Sequence, residues 1–285
     1  MVPETLQISG TLDRLSAFTT DPNGGNPAGV WIGDSLPTPQ TMQRIAAEVG
    51  FSETVFIAPA EGSDRTARYY SPEAEVSFCG HATIAAGVVL GEQGQDGTYR
   101  LSTQVGDIPV TVRTQDRQRS ASLTSVTPSY RPASKALITE VLSLLDWEEA
   151  DLDESIPPAQ AYAGAYHLVL AVADANRLTT LDYDFEALKT LMLQNNLTTL
   201  QLVWRESERV FHARNPFPVG GVVEDPATGA AAAALGGYLR EAKLTTVPTT
   251  LFIRQGEAMG RPSQIVVDVP VTGGIVVTGN AVRIF

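Results

Sequence analysis

The chain carries the segment CGHATIAAGVVL at residues 79–90 and a second segment of the same pattern, TGAAAAALGGYL, at residues 228–239. Each segment has a glycine at its second position, another glycine seven residues later, and leucine at its end. The leading glycines, Gly80 and Gly229, are 149 positions apart in a chain of 285 residues. This spacing indicates an internal duplication in which each half contains one glycine-led helix.

Both segments predict helices that are buried on all sides. Alanine, glycine and aliphatic residues occupy nearly every position, so neither helix has a polar face to present to water. The N-terminus of a helix presents unpaired N–H groups and about half a positive charge. Two such ends aimed at one cleft would hold a carboxylate group. The sequence therefore favours a small anionic ligand.

Composition excludes several classes of partner and predicts a cytoplasmic location. The formal net charge of −12 argues against nucleic acid and anionic membranes as partners. The one cysteine, Cys79, rules out an internal disulfide and fits a reducing compartment. We find no apolar run of membrane-spanning length and no signal-peptide pattern at the N-terminus.

Three residues near the first helix are candidates for chemistry. Glu53 lies in an otherwise apolar stretch, where an inward carboxylate would serve as a proton shuttle, although an alternating strand could also turn it towards water. His81 follows the leading glycine and either relays a proton or simply closes the helix start. Cys79 is either a reactive thiol at a helix N-terminus or an inert buried one.

The second helix is preceded by a further candidate, Asp225. It begins the sequence Asp-Pro, an ordinary turn and cap signal, but its place beside the helix also favours a functional role. His167 and His212 fall in predicted strands without a ligand pattern, and we interpret them as structural. No spacing of metal ligands and no phosphate-loop or dinucleotide pattern is present, so we expect neither a metal nor a cofactor.

The chain resembles the PhzF-like proteins of phenazine biosynthesis, within the diaminopimelate epimerase structural group. The resemblance extends from near residue 18 to the C-terminus and depends on five motifs in the family's order. They are GNPAGV (25–30), SETVF (52–56), SPEAEVSFCGHAT (71–83), EDPATG (224–229) and QGEAMGRP (255–262). The combination of GHAT and EDPATG is specific, whereas either alone is weak.

The resemblance implies an α+β fold of two pseudo-symmetric lobes. Each lobe is a curved, mostly antiparallel, barrel-like sheet around a central helix, with the active site in the cleft between the lobes. We expect an N-terminal lobe over residues 1–125, to which the strand at 279–285 could be added, and a C-terminal lobe over 126–278. A homodimer is implied by the resemblance alone.

The resemblance also implies the roles of the site residues. The glutamate matching Glu53 moves a proton between substrate carbons without a cofactor, and the residues matching His81 and Asp225 hold and polarise the substrate. The other residues assigned to substrate binding are Asn26, Gly80, Gly229 and Ala230, with backbone N–H groups near the two glycines holding the carboxylate. The expected function is thus a cofactor-independent isomerase acting on a small amino or hydroxy carboxylate.

Two departures from the family pattern keep alternatives open. Ala230 stands where the isomerases have serine, so one hydroxyl contact to the substrate is missing. Thr228 stands where two-thiol epimerases and racemases have their second cysteine, which argues against two-thiol racemisation. A pair of one cysteine and one threonine resembles the hydroxyproline dehydratases, so a dehydratase or epimerase using Cys79 is an alternative. The non-enzyme alternative is a protein that binds small carboxylates and has lost the chemistry.

Overall fold

The computed structural model describes residues 9–60 and 64–284, which divide into two compact units. The first unit holds residues 9–22, 27–123 and 280–284, and the second holds 23–26 and 124–279. Residues 1–8 and 61–63 of the expected N-terminal lobe, and Phe285 of the expected last strand, lie outside the described residues. The lobe boundaries expected from the sequence stay predictions.

The first unit is built from short strands and two helices. Its strands are β1 (Gly10–Ala17), β2 (Asn26–Gly33), β3 (Glu53–Pro59), β4 (Arg65–Tyr70), β5 (Glu75–Val76), β6 (Gly97–Thr103), β7 (Gly106–Gln115) and β8 (Gln118–Thr124), and its helices are α1 (Pro39–Val49) and α2 (Gly80–Gln93).

The second unit repeats this composition with one more strand and one more helix. Its strands are β9 (Ser129–Pro132), β10 (Ala159–Tyr162), β11 (Tyr166–Val172), β12 (Thr199–Arg205), β13 (Val210–Phe217), β14 (Val222–Asp225), β15 (Thr249–Gln255), β16 (Ser263–Val269) and β17 (Val276–Arg283), and its helices are α3 (Lys135–Leu145), α4 (Phe185–Gln194) and α5 (Gly229–Glu241). The last residues of β17 belong to the first unit, where they pair with β1.

The order of strand pairing is the same in both units. In the first, β2 and β3 are parallel, β3 and β4 antiparallel, β4 and β6 parallel, and β6, β7 and β8 antiparallel. In the second, β11 and β12 are parallel, β12 and β13 antiparallel, β13 and β15 parallel, and β15, β16 and β17 antiparallel. The predicted duplication and the α+β fold class are confirmed.

Each unit encloses one of the two glycine-led helices. Every residue of α2 from His81 to Gly91 is buried, and the helix packs against β1, β3 and β7. In α5, residues from Ala231 to Arg240 are buried, and the helix packs against β9, β10, β11 and β16. Because neither helix has a polar face, the surrounding strands bury it on every side.

Amphipathic helices cover the outer faces of the sheets. Helix α1 packs through Met42 and Ala46 against Phe56 and its aromatic neighbours, while α3 and α4 share an apolar cluster with β11 and β12. Side chains alternate along a strand, so β3 directs Phe56 towards α1 and Glu53 towards the opposite face, where α2 lies. None of the described helices combines the length and apolarity needed to cross a bilayer.

We predict that Gly87→Ala destabilises the protein and that Gly80→Ala in the same helix does not. A Cβ at Gly87 would lie 2.7 Å from both Ala121 Cβ and Val110 Cγ1, whereas a Cβ at Gly80 would meet no atom within 4 Å. Overpacking costs about 1–3 kcal/mol, while alanine is the better helix former. The free energy of unfolding of both variants is measured by urea titration monitored with circular dichroism. Equal stability of the two variants would contradict this packing.

Candidate functional site

Glu53 is the first residue of β3 and lies in parallel register with Ala28. Helix α1 ends at Gly50 in the left-handed conformation, with φ of 72°, and the chain then turns directly into the strand. The Glu53 side chain is 19% exposed, and its Oε2 lies 3.3 Å from His81 Nε2. The carboxyl group is therefore in contact with a base but still partly open to a ligand.

The start of α2 determines the positions of Cys79 and His81. Strand β5 returns antiparallel along β4 and brings the chain to Cys79, the N-cap residue. The Cys79 carbonyl accepts hydrogen bonds from Thr83 N at 3.1 Å and Thr83 Oγ1 at 2.6 Å. Thr83 Oγ1 also lies 2.8 Å from the Tyr69 hydroxyl. Burial raises the pKa of Tyr69, so this hydroxyl stays protonated and can support the helix start.

We call Ser52, Glu53, Cys79 and His81 the Glu53 cluster. His81 is 8% exposed and touches all three other members: its Nε2 lies 3.4 Å from Ser52 Oγ, and Cys79 Sγ lies 3.4 Å from its Nδ1. A carboxylate and an imidazole in contact are two groups that can each accept or donate a proton in catalysis. The cluster therefore has the composition of a general acid–base site.

A second group, the Asp225 cluster, consists of Asn26, Asp225, Thr228 and Gln255. Asn26 Nδ2 donates to Asp225 Oδ1 at 2.8 Å, and Thr228 Oγ1 donates to Asp225 Oδ2 at 2.5 Å. The buried Gln255 donates from Nε2 to the Asp225 carbonyl at 2.7 Å, and its Oε1 accepts from Thr228 N at 3.1 Å. These bonds hold the carboxylate of Asp225 in one orientation.

Three of the sequence motifs meet around this cluster. Arg261 donates to the carbonyl groups of Gly24 and Gly25 at 2.7 and 2.8 Å. Gly256 has φ of 76°, and a Cβ there would lie 2.3 Å from the Arg261 carbonyl oxygen and 2.7 Å from that of Pro226. The segments 23–26, 225–228 and 255–263 thus form one supporting structure for Asp225.

The starts of α2 and α5 both lack a side-chain cap. Neither Cys79 nor Thr228 makes a cap hydrogen bond through its side chain, because the Thr228 hydroxyl is directed to Asp225. Gly80 and Gly229 are partly exposed, and Ala230 is exposed. The N–H groups of a first turn have no partner within the helix, so each start is suited to an anionic group.

The register of the duplicated strands shows that acid–base residues differ between the units. Val76 lies four residues before Gly80 and pairs with Tyr69, and Asp225 lies four residues before Gly229 and pairs with Asn215. The same register continues into the next strands, where β3 pairs with β4 in the first unit and β12 pairs with β13 in the second. Thr199 in β12 therefore occupies the position that Glu53 occupies in β3. A threonine hydroxyl is not a general base at neutral pH, and the carboxylate at this position occurs in the first unit but not in the second.

The two remaining histidines lie outside both clusters, and their structural role stays a prediction. His167 is fully buried, its Nδ1 lies 2.8 Å from Thr199 Oγ1, and burial lowers its pKa to about 3. His212 contacts Glu206 and Glu257 at 2.7 and 2.9 Å in a largely exposed ion-pair network. At neutral pH His167 is therefore uncharged and cannot donate a proton as an imidazolium.

The structure brings together one set of metal-ligand types that sequence spacing did not reveal. The ligand atoms of Glu53, Cys79 and His81 all lie within 4.8 Å of one another. Glu53 is far from the other two in the sequence, so the spacing rules for zinc motifs could not detect the set. The sequence likewise predicts only part of the Asp225 cluster: Gln255 lies in the motif at 255–262, but no spacing indicates its contact with Asp225.

Comparison with known proteins identifies similar chains along nearly the whole length. The model of the phenazine biosynthesis-like protein family matches residues 15–285. An uncharacterised isomerase of Deinococcus radiodurans is 32% identical over 267 residues, covering 91% of this chain and 87% of the relative. The trans-2,3-dihydro-3-hydroxyanthranilate isomerase of Pseudomonas fluorescens is 31% identical, covering 87% of this chain and 86% of the relative.

A solved structure supports the fold. The phenazine biosynthesis protein of the PhzF family from Bacillus anthracis matches with a TM-score of 0.86 and 24% identity, covering 98% of each chain. At this level of identity the similarity shows a common fold.

We predict that Gln255→Leu destabilises the protein by about 2–4 kcal/mol, because it removes hydrogen bonds to Asp225 and Thr228 from a buried position. The control is Gln264→Leu, an exposed glutamine on β16 whose replacement is expected to change stability by no more than about 0.5 kcal/mol. Denaturant unfolding measures both variants. Equal destabilisation by the two substitutions would show that Gln255 does not support the cluster.

Proposed function

The chain belongs to the family of phenazine biosynthesis-like proteins, and we propose that it is a cofactor-independent isomerase that moves a proton between atoms of a small carboxylate-bearing substrate. Its relatives include proteins named isomerases from several bacteria. We further propose that Glu53 is the general acid–base, that the substrate carries an amino or hydroxyl group, and that the Asp225 cluster binds one of its polar groups.

The observation that supports this proposal most strongly is the contact of 3.3 Å between Glu53 Oε2 and His81 Nε2. Removing a proton from carbon requires a base whose position is fixed and donors that stabilise the developing charge. Glu53 lies at the end of a buried strand, and His81 is held by the start of α2. Both groups therefore reach the substrate with little loss of side-chain freedom, because the fold has already ordered them.

The substrate carboxylate is assigned to the helix starts. The open space next to Gly80, where a Cβ would meet no atom within 4 Å, allows an anion to approach the backbone N–H groups of the first turn. In the second unit, Asp225 offers a fixed carboxylate that accepts a hydrogen bond from an ammonium or hydroxyl group, which favours amino and hydroxy acids. Ala230 supplies no hydroxyl group, so this chain and serine-containing isomerases are expected to differ in substrate preference.

The function is tested by incubating the protein with a panel of small amino and hydroxy carboxylates in deuterated water. The panel includes trans-2,3-dihydro-3-hydroxyanthranilate, the compound in the name of the Pseudomonas relatives. Mass spectrometry and NMR detect both new isomers and deuterium on carbon. If every compound that binds shows neither isomer formation nor deuterium exchange, the protein is a binding protein and not an isomerase.

We predict that Glu53→Gln lowers turnover of any substrate found in this way by about 10²–10⁴-fold, the usual contribution of a general acid–base. The substitution removes the proton-accepting carboxylate and keeps its size, so folding is expected to remain intact. The control is Glu48→Gln, which removes an exposed carboxylate on α1. Unchanged turnover in Glu53→Gln would reject the assigned role.

A second candidate function is supported by the distance of 3.4 Å between Cys79 Sγ and His81 Nδ1. A thiol next to imidazole is the arrangement used by cysteine-based catalysts, which would fit an amino-acid dehydratase or epimerase.

The substitution Cys79→Ser distinguishes this candidate from the Glu53 mechanism. We predict that the variant keeps turnover within about threefold of the native protein, since an acid–base mechanism through Glu53 does not require the thiol. Steady-state kinetics with the substrate identified above provides the measurement. Loss of turnover in Cys79→Ser with full turnover in Glu53→Gln would establish the cysteine mechanism instead.

A further inference from the structure

The Glu53 cluster has a second chemical property, because three of its members are of types that bind metal ions. Glu53 offers a carboxylate oxygen, Cys79 a sulfur and His81 a ring nitrogen, and these atoms lie within 4.8 Å of one another. Among the described residues, no other group of three such side chains meets this condition. In the surface cluster around His212, the two ring nitrogens of the histidine contact two different glutamates, Glu206 and Glu257.

The distances within the cluster are close to those of a tetrahedral site. Zinc lies about 2.0–2.1 Å from histidine nitrogen, 2.3 Å from cysteine sulfur and 2.0–2.2 Å from carboxylate oxygen, so neighbouring ligand atoms are roughly 3.3–3.7 Å apart. Here Glu53 Oε2 and His81 Nε2 are 3.3 Å apart, and Cys79 Sγ and His81 Nε2 are 3.8 Å apart. Cys79 Sγ also lies 3.4 Å from Nδ1, which places the sulfur beside the ring. An ion bound to Nε2 would therefore require the Cys79 sulfur to move by about 2 Å, whereas Glu53 would move little.

Burial and charge also favour a cation. His81 and Cys79 are each 8% exposed and Glu53 is 19% exposed, so the ligand atoms are largely removed from water. A thiolate and a carboxylate together neutralise the two charges of the ion. The positive end of the α2 dipole opposes a cation, and three protein ligands are fewer than the four of a structural zinc site. Binding is therefore expected to be weaker and reversible.

We propose that Glu53, Cys79 and His81 form a binding site for Zn²⁺ and similar divalent ions, and that an ion bound there inhibits the protein. Sulfur and imidazole ligands select Zn²⁺ and Co²⁺ over Mg²⁺ and Ca²⁺, which prefer oxygen. Inhibition follows because coordination occupies the lone pairs with which Glu53 and His81 would move a proton. Metal binding stands on the geometry alone, whereas inhibition rests on the proposed function.

The site is tested by titrating the full-length chain with Co²⁺, with Zn²⁺ as competitor. We expect one ion per chain, a charge-transfer band from thiolate to Co²⁺ in the near ultraviolet, and loss of that band when Zn²⁺ is added. Cys79→Ser abolishes the band and weakens binding by about tenfold or more. Glu53→Gln keeps the band and weakens binding. The control His212→Gln leaves both unchanged, since that histidine lies in the exposed ion-pair network.

The outcomes separate the site from the proposed function. Absence of saturable Co²⁺ binding, or binding that is lost in His212→Gln and retained in Cys79→Ser, overturns the site. Binding at the cluster together with reversible loss of turnover, restored by a chelator, supports the whole proposal. Binding at the cluster without any loss of turnover overturns inhibition and the role of Glu53, while the metal site itself stands.

Discussion

Two helices without a polar face impose the architecture of this chain. Alanine, glycine and aliphatic residues surround α2 and α5 on all sides, so each helix is stable only when strands bury it completely. Several strands pack against each helix, and the two units repeat the same order of parallel and antiparallel pairs. Glycines such as Gly87 allow the strands to approach closely.

Burial of the helices also determines where chemistry can occur. The buried side chains in the middle of α2 and α5 are mostly apolar, and the polar residues of both clusters lie in the first turn, in the residues before it or on neighbouring strands. Cys79 and His81 occupy this place in the first unit, and Asp225 and Thr228 occupy it in the second. The duplicated frame then diverged in its chemistry: Glu53 is replaced by Thr199 at the corresponding register position. The first unit has a glutamate in contact with a histidine, and the second has a carboxylate held by hydrogen bonds.

Much of this could be predicted from sequence. The two glycine-led helices, their duplication, the α+β class, the family and the isomerase class are confirmed. The contact between Glu53 and His81 was not visible in the sequence, because it depends on how β3 begins beside the start of α2. The support of Asp225 by Asn26 and Gln255 depends on long-range packing in the same way. The homodimer and the substrate stay predictions, since neither follows from local pattern.

The most direct test of the account is a crystal structure with a substrate or an unreactive analogue bound. We expect a carboxylate oxygen of Glu53 to lie about 3–3.5 Å from the carbon that loses or gains the proton, with His81 still in contact with Glu53. A ligand bound elsewhere, with the Glu53 carboxylate directed into solvent, would contradict it.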